Sequence, residues 1–319
     1  YMTSMIASTL WVLFFFVFKK KYDAIFIQQL SPMTSAVPGV LLGKLRKIPV
    51  YTWVLDIWPD SVVSTIGEKA SKPILPAIQW MVDWVYRSSK KILVSSKGMF
   101  DLVNRNADYS DKLIHFPNWC DDVLAMPMLD IPELPNGYII MMAGNVNDGI
   151  GVNAVVECVE RMKEHKDVYF VFVGGGAEVD NMKKIFKEKG LDNALMLGRF
   201  PFETMPAFHA KADAMFLSLK PSKLPHLAAT VPARLQTYMA AGKPVFAMID
   251  GSAAELINEA DCGFAVAVGD AEGFCNNLRD QVLAERNLYK EKGENGRKYF
   301  LDHFTKNECM NHLETVLNY

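Results

Sequence analysis

Residues 230–248 read "TVPARLQTYMAAGKPVFAM", and the order of textures in this stretch decides the fold class. Polar loop residues lead to Pro232, whose fixed φ suits the opening of a helix. A short helix follows. Gly242 supplies a stop, because glycine takes the left-handed conformation that ends a helix. "PVFAM" follows without a charge, as a strand buried on both faces does. A helix feeding such a strand belongs to a βαβ unit, and its exposed first-turn N–H groups suit an anion such as a diphosphate.

The same alternation runs outward in both directions. "YIIMMAGNV", "VYFVFVGGGAE", "ALMLGRF", "DAMFLSLKP" and the late "GFAVAVGD" read as strands. "GVNAVVECVERMKEH", "EVDNMKKIFKEKG" and "ETMPAFHAKA" between them read as helices, and the tail from about residue 272 is mostly helical. Nearer the start, "YDAIFIQQL", "IPVYTWVLDI", "KKILVSSKGM" and "KLIHFPN" are strands, with helices over 37–45 and within "ILPAIQWMVDWVYRSS". Strands alternating with helices predict parallel, doubly wound sheets. A chain of 319 residues suggests two domains. The proline-rich stretch "PNWCDDVLAMPMLDIPELPNG" separates them. We therefore expect an N-terminal domain over 1–116, a linker over 117–137, a second domain over 138–295, and a C-terminal helix over 296–319 that packs back on the first domain. The chain begins with Tyr1, so a fragment lacking early strands is expected.

Half the residues are hydrophobic, 22% are charged and the formal charge is −2. No nucleic-acid footprint is implied. Five cysteines without a CxxC pair read as reduced packing residues in a cytoplasmic setting, and the six histidines show no metal-ligand spacing. The segment "YMTSMIASTLWVLFFFVFKKK" is uncharged up to Phe18 and basic after it. It is marginal against the ~20 apolar residues of a spanning helix. Residues 1–21 are either a buried or interfacial helix or a peripheral anchor on an anionic membrane surface.

Unusual residues collect at the predicted strand ends of the second domain. Gly144 and Asn145 follow its first strand, then Gly149 and Gly151. Gly174, Gly175 and Gly176 follow the second, Arg199 and Phe200 the third, Leu219 and Lys220 the fourth. Glycines let backbone N–H groups approach phosphate oxygens, although they also serve ordinary turns. Arg234 falls in a first helical turn, as a phosphate fork or a solvated surface arginine. In the first domain, Asp56 and Asp60 flank Trp58 and Pro59. Asp56 is the candidate catalytic carboxylate, with Asp60 or Ser61 as a helix cap in the plainer reading. Ser31 and Pro32, at an earlier strand end, are acceptor-side candidates or turn residues. His209 reads as a surface or packing residue, His226 as part of a loop, and Met141, Met142, Met239 and Met248 as core filling.

"GRFPFETMPAFHAKADAMFLSL" followed by "YMAAGKPVFAMIDGSAAELINEADCGFAVAVGD" resembles the nucleotide-binding domain of the retaining GT-B glycosyltransferases, the "glycosyl transferases group 1" family. "YTWVLDIWPDS" is similar to the Asp-Leu-Trp-Pro-Glu-Ser signature of its fucosamine-transferase-like branch, whose members build bacterial surface polysaccharides. The resemblance implies a GT-B fold of the α/β class, two Rossmann-like parallel-sheet domains facing across a cleft. It implies retaining, metal-independent transfer from a UDP-sugar, a co-substrate with no further cofactor, to a lipid-linked saccharide. The setting would be the cytoplasmic face of the plasma membrane. By position, Gly144 and Asn145 would face the diphosphate, and Gly174 and Gly175 would line the nucleotide site. Arg199 and Phe200 would lie beside the base, and Leu219 and Lys220 would flank the sugar diphosphate. Arg234 replaces the Lys of the family's Pro-Ser-Lys helix start, and Gln236 and Thr237 fall at the ribose. This chain departs from the pattern at Ala229 and Thr237, where the family carries glutamates, and at Leu55, where a histidine is frequent. The basic residue expected in the first glycine loop is absent from "NVNDGIGV". Those departures keep open a non-catalytic nucleotide-sugar-binding or scaffolding subunit; a GT-B-type sugar-nucleotide epimerase, which shares the fold, ranks third because no acidic and histidine clusters for proton abstraction are apparent.

Overall fold

The computed structural model describes residues 2–16 and 22–318. Tyr1 and the basic run Lys19–Lys21 of the predicted anchor lie outside the described residues. The chain divides into two compact units. The first contains the chain up to Asn118, the short segment Leu224–Thr230, and the residues from Cys309 on. The second contains Trp119–Lys223 and Val231–Glu308.

The first unit is built on four parallel strands, β1 (Ile25–Gln29), β2 (Val50–Val54), β3 (Lys91–Val94) and β4 (Leu113–His115), lying side by side in chain order. β2 is buried along its whole length, as the uncharged run in "VYTWV" requires. The helix Val37–Arg46 lies close on this sheet because two of its inward positions are glycine. A Cβ at Gly39 would sit 2.8 Å from Ile27 Cδ1, and one at Gly43 would sit 2.4 Å from Val50 Cγ2. The indole of Trp53 donates to the Phe116 carbonyl at 3.1 Å. Tyr51 donates its hydroxyl to the Leu317 carbonyl at 3.2 Å, tying the end of the chain to this unit.

The second unit carries β5 (Tyr138–Ala143), β6 (Val168–Val173), β7 (Ala194–Gly198), β8 (Ala214–Ser218), β9 (Val245–Met248) and β10 (Gly263–Val266). Their order is β10-β9-β8-β5-β6-β7, all parallel. The chain winds outward from β5 to β7, then returns to place β8 on the other side of β5. That reversal is the switch point beside which open α/β sheets bind ligands. Alternate residues of each strand feed different cores. Ile140, Met142, Phe170, Phe172, Phe216 and Phe246 enter one; Ile139, Met141, Val171, Met215, Leu217 and Val245 enter the other. Each such side chain contributes roughly 1.5–3 kcal/mol on burial, so both faces must be covered by helices, as the continuous apolar runs predict.

The α/β class with two Rossmann-like parallel sheets is therefore the observed one. Met141, Met142, Met239 and Met248 are core residues. None of the five cysteines is in a disulfide, and only Cys120 is less than fully buried. Within the proline-rich stretch, Val123–Ala125 forms a short 3₁₀ turn capped by Asp122, which Arg297 grips in a two-pronged pair at 2.6 and 2.7 Å. Residues Met2–Phe16 form a helix. No helix of the described residues is long and apolar enough to cross a membrane.

Candidate nucleotide site in the second unit

The loops after β5, β6 and β8 are locked together by their backbones. Gly144 leaves β5 at φ 127°, its N–H donating to the Val173 carbonyl at 2.8 Å. Gly174 leaves β6 at φ 145°, and a Cβ there would lie 1.8 Å from the Gly144 carbonyl oxygen. The Val146 N–H donates to Gly175 at 2.8 Å, and the Lys220 N–H to Gly149 at 2.8 Å. The buried Ser218 hydroxyl donates to the Ile150 carbonyl at 2.7 Å. Gly174 is thus required first by backbone-on-backbone approach; no side chain fits at this conformation and spacing.

Above these loops begins the helix Ala233–Ala240. Pro232 precedes it, and no side chain caps its start. Tyr238 fastens the helix to the end of β5. Its hydroxyl accepts from the Ala143 N–H at 3.0 Å and donates to the Ala143 carbonyl at 2.9 Å. Burial pushes this phenol's pKa up, with Arg234 acting against it, so the donor proton stays in place. One turn earlier on the same helical face, Arg234 Nη2 donates to the Asn145 carbonyl at 3.1 Å. Its guanidinium carbon lies 3.9 Å from where a Gly144 Cβ would stand. Arg234 Nη1 is buried without a partner. A held guanidinium with an unspent donor nitrogen, beside a glycine and an uncapped helix start, is an arrangement for a phosphate-like anion.

The other candidates divide around this point. Arg199 lies against Gly175, its Nε 3.0 Å from a Cβ position there. Phe200 packs edge-on against Phe208, 4.9 Å between ring centres. The Leu219 N–H donates to the Met248 carbonyl at 3.3 Å. Lys220 Nζ is held by Asp148 at 2.6 Å, an exposed pair. Gly144, Asn145, Gly174, Gly175, Arg199, Leu219, Lys220 and Arg234 thus gather at the carboxyl ends of β5 to β8. Gln236 and Thr237 lie further along the helix. Gln236 is buried, and Thr237 donates its hydroxyl back to the Ala233 carbonyl at 3.4 Å. Two contributors were missed by sequence reasoning. Tyr238 shares the face of Arg234 by i, i+4 spacing, a signal that was readable. Asp148 pairs with a lysine distant in sequence, which no local pattern announces.

In the first unit, the acceptor-side candidates pair with one another. The hydroxyls of Ser31 and Ser61 both donate to the Asp56 carboxylate. Trp58 donates its indole N–H to Ser31 at 2.9 Å. Pro32 and Pro59 both follow cis peptide bonds. The helix Asp60–Ile66 starts at Pro59, and neither Asp60 nor Ser61 caps it. Instead, Asp60 Oδ1 pairs with Arg105 at 3.0 Å, and its Oδ2 is buried without a partner. His226, expected in a loop, lies in the short helix Pro225–Ala229, which belongs to this unit. Burial lowers its pKa, against the pull of Asp60 and Asp56. Ala229 is a core residue, and its carbonyl accepts from the Ser96 hydroxyl. Among the described residues, no group of three His, Cys, Asp or Glu side chains is placed to hold a metal ion.

Comparisons with known proteins fit this geometry. Residues 130–299, more than half the chain, match the family described as Glycosyl transferases group 1. "Probable glycosyltransferase WbjE" of Pseudomonas aeruginosa is 24% identical over 247 residues, 73% of this chain and 61% of that protein. The lipopolysaccharide core biosynthesis glycosyltransferase LpsE of Rhizobium meliloti is 25% identical over 178 residues, 56% of this chain and 48% of that protein. The chain thus spans less than two thirds of either relative. Among solved structures, Anabaena HepE in complex with UDP superposes with a TM-score of 0.75 at 14% identity, over 98% of this chain and 81% of that one. At that identity the likeness speaks for the fold. From the family match across the switch-point loops and the Arg234 helix, the chain belongs to the glycosyl transferases group 1 family.

Proposed function

We propose that the chain is a glycosyltransferase of bacterial surface polysaccharide synthesis, moving a sugar from a UDP-sugar to a lipid-linked saccharide. The observation that carries the reading is Arg234, fixed over Gly144 with a buried, unspent Nη1. HepE, of the same fold, is described in complex with UDP, and LpsE is named for lipopolysaccharide core synthesis. In this reading the negative charge that grows on departing UDP is met by Arg234, the uncapped start of Ala233–Ala240 and the Gly144–Asn145 loop, with Lys220 joining once it leaves Asp148. Those groups supply the stabilisation without a metal. Arg199 and Phe200 flank the base, Gly174 and Gly175 shape the loop beneath the nucleotide, and Gln236 and Thr237 lie toward the ribose. Asp56, oriented by Ser31 and Ser61, is the carboxylate that acts on the acceptor side with Pro32 and Asp60. The "DIWPDS" motif supports the fucosamine-transferase-like branch and hence retention of configuration. Residues 1–21 would hold the protein at the membrane surface where a lipid-linked acceptor resides.

The test is turnover: the purified chain with UDP-sugars and a lipid-diphosphate saccharide, with and without a chelator, reading UDP release and the anomeric configuration of the product. Transfer with retention, insensitive to chelator, is expected; inversion or chelator-blocked transfer contradicts the mechanism. A second reading, a non-catalytic nucleotide-sugar-binding subunit, is favoured by Thr237, whose hydroxyl is spent on Ala233. UDP binding without transfer of any donor tried would select it.

A further inference from the structure

We infer that three helices of the first unit form a bilayer-docking face, with a groove between two of them seating the headgroups of an anionic phospholipid membrane. The helix Met2–Phe16 packs on Val37–Arg46, which packs in turn on Leu75–Ser88. Because Gly39 and Gly43 turn the middle helix's close-packing side to the sheet, Lys44 and Leu45 are left exposed. Between the middle and third helices runs a groove of about 280 Å³ lined by Lys44, Trp80, Asp83, Trp84, Arg87 and Ser88. Lys44 Nζ stands 4.9 Å above the Trp84 ring. Trp80 is 70% exposed and Leu45 63%. The first helix carries no charge in its 15 residues and exposes Ile6, Leu10, Trp11 and Phe14.

Exposed apolar side chains on three neighbouring helices, with cations among them, suit an interaction site. Its chemistry selects the occupant. Indoles and leucine on exposed helices suit the acyl–headgroup boundary, and Lys44 and Arg87 suit lipid phosphates. The groove's one acid, Asp83, accepts from Gln79 at 2.9 Å, and Lys44 and Arg87 outnumber it along the lining. This inference deepens the membrane part of the proposed function by naming a surface beyond residues 1–21, and it does not depend on the nucleotide site.

The test co-sediments the full chain with vesicles of an anionic phospholipid and with vesicles of a zwitterionic one, at low and high salt. Wild type is compared with Lys44→Glu/Arg87→Glu, Leu45→Ser/Trp80→Ser and Ile6→Ser/Leu10→Ser. All six positions are exposed, so unchanged thermal melts are expected and check folding. Charge reversal should weaken binding to anionic vesicles about thirtyfold or more at low salt, and much less at high salt. Leu45→Ser/Trp80→Ser should weaken it about tenfold at either salt. Wild-type binding by both groove variants, even with loss in Ile6→Ser/Leu10→Ser, overturns the inference, as does equal binding to zwitterionic vesicles. A dimer abolished by Leu45→Ser/Trp80→Ser, without vesicle binding, overturns it in favour of a second copy of the chain. UDP affinity is measured on the same samples. Its absence in wild type would count against the nucleotide reading alone.

Discussion

At the ends of β1 and β2, polar side chains pair with one another; at the ends of β5, β6 and β8, backbone pairs with backbone and a cation is left over. Ser31, Ser61 and Trp58 are all engaged around Asp56, and Asp60 is engaged by Arg105. In the second unit, glycines bring loop carbonyls and amides together, and Arg234 hangs over them with one nitrogen unspent. Buried polar groups cost free energy unless paired. The first arrangement has largely met that cost internally. The second leaves a buried donor nitrogen over, which makes it the place to expect anion binding.

Substitutions should separate the two arrangements. The largest effect is expected at Gly174. Alanine there takes a left-handed backbone conformation with its Cβ on the Gly144 carbonyl, so the second unit should lose about 3 kcal/mol or more. A denaturant melt showing near-wild-type stability and intact UDP binding would remove the backbone-locked account.

Next comes acid sensitivity, through one buried histidine in each unit. Burial pushes His209 down to about 4, and Lys243 acts in the same direction. The folded value lies below the ordinary ~6.5. Its contribution is therefore full above about pH 6.5 and is lost as pH falls toward 4, on the order of a few kcal/mol in total. His209→Phe should flatten the pH dependence of the second unit's melt over that window. For His226, Asp56 and Asp60 oppose the burial, so His226→Phe should flatten the profile less. Equal flattening would break the contrast.

Asp56→Asn replaces a charged acceptor of two hydroxyls and should cost the first unit about 1–3 kcal/mol, while UDP affinity stays at the wild-type value. A fall in UDP affinity with unchanged stability would transfer Asp56 to the nucleotide site. The smallest effect is expected at Asp148→Asn. The pair with Lys220 is exposed, so stability should barely change, but the freed ammonium should raise UDP affinity a few-fold. Weaker UDP binding would mean that Asp148 serves the ligand rather than competing with it.

Much of this was legible in the residues themselves. Uncharged runs such as "VYFVFV" and "AMFLS" announce strands covered on both faces, and the glycines after them mark the loops that meet at the switch point. Pro232 and Gly242 bracket the helix that carries Arg234. What was not legible depends on distant partners. The segment Leu224–Thr230 reads as a loop of the second domain, yet it packs with Met99–Val103 in the first unit. Seven residues with one turn of helix carry no periodicity from which to choose a partner. His209 could be read as a surface or a packing residue on its short helix, and its 1% exposure makes it packing. Ala229, read as a missing glutamate, is a core residue of the first unit, where a carboxylate would be buried among apolar side chains. Thr237 changed meaning as well, since its hydroxyl is occupied by its own helix.

The central claim is that the start of the helix Ala233–Ala240 and the Gly144 loop form a diphosphate site whose charge is Arg234. Titration calorimetry of UDP against wild type, Arg234→Lys and Arg234→Ala tests it most directly. The account predicts measurable binding by wild type, about ten- to a hundredfold weaker binding by Arg234→Ala, an intermediate value for Arg234→Lys, and equal thermal stability for all three. UDP binding by Arg234→Ala as tight as by wild type would contradict it.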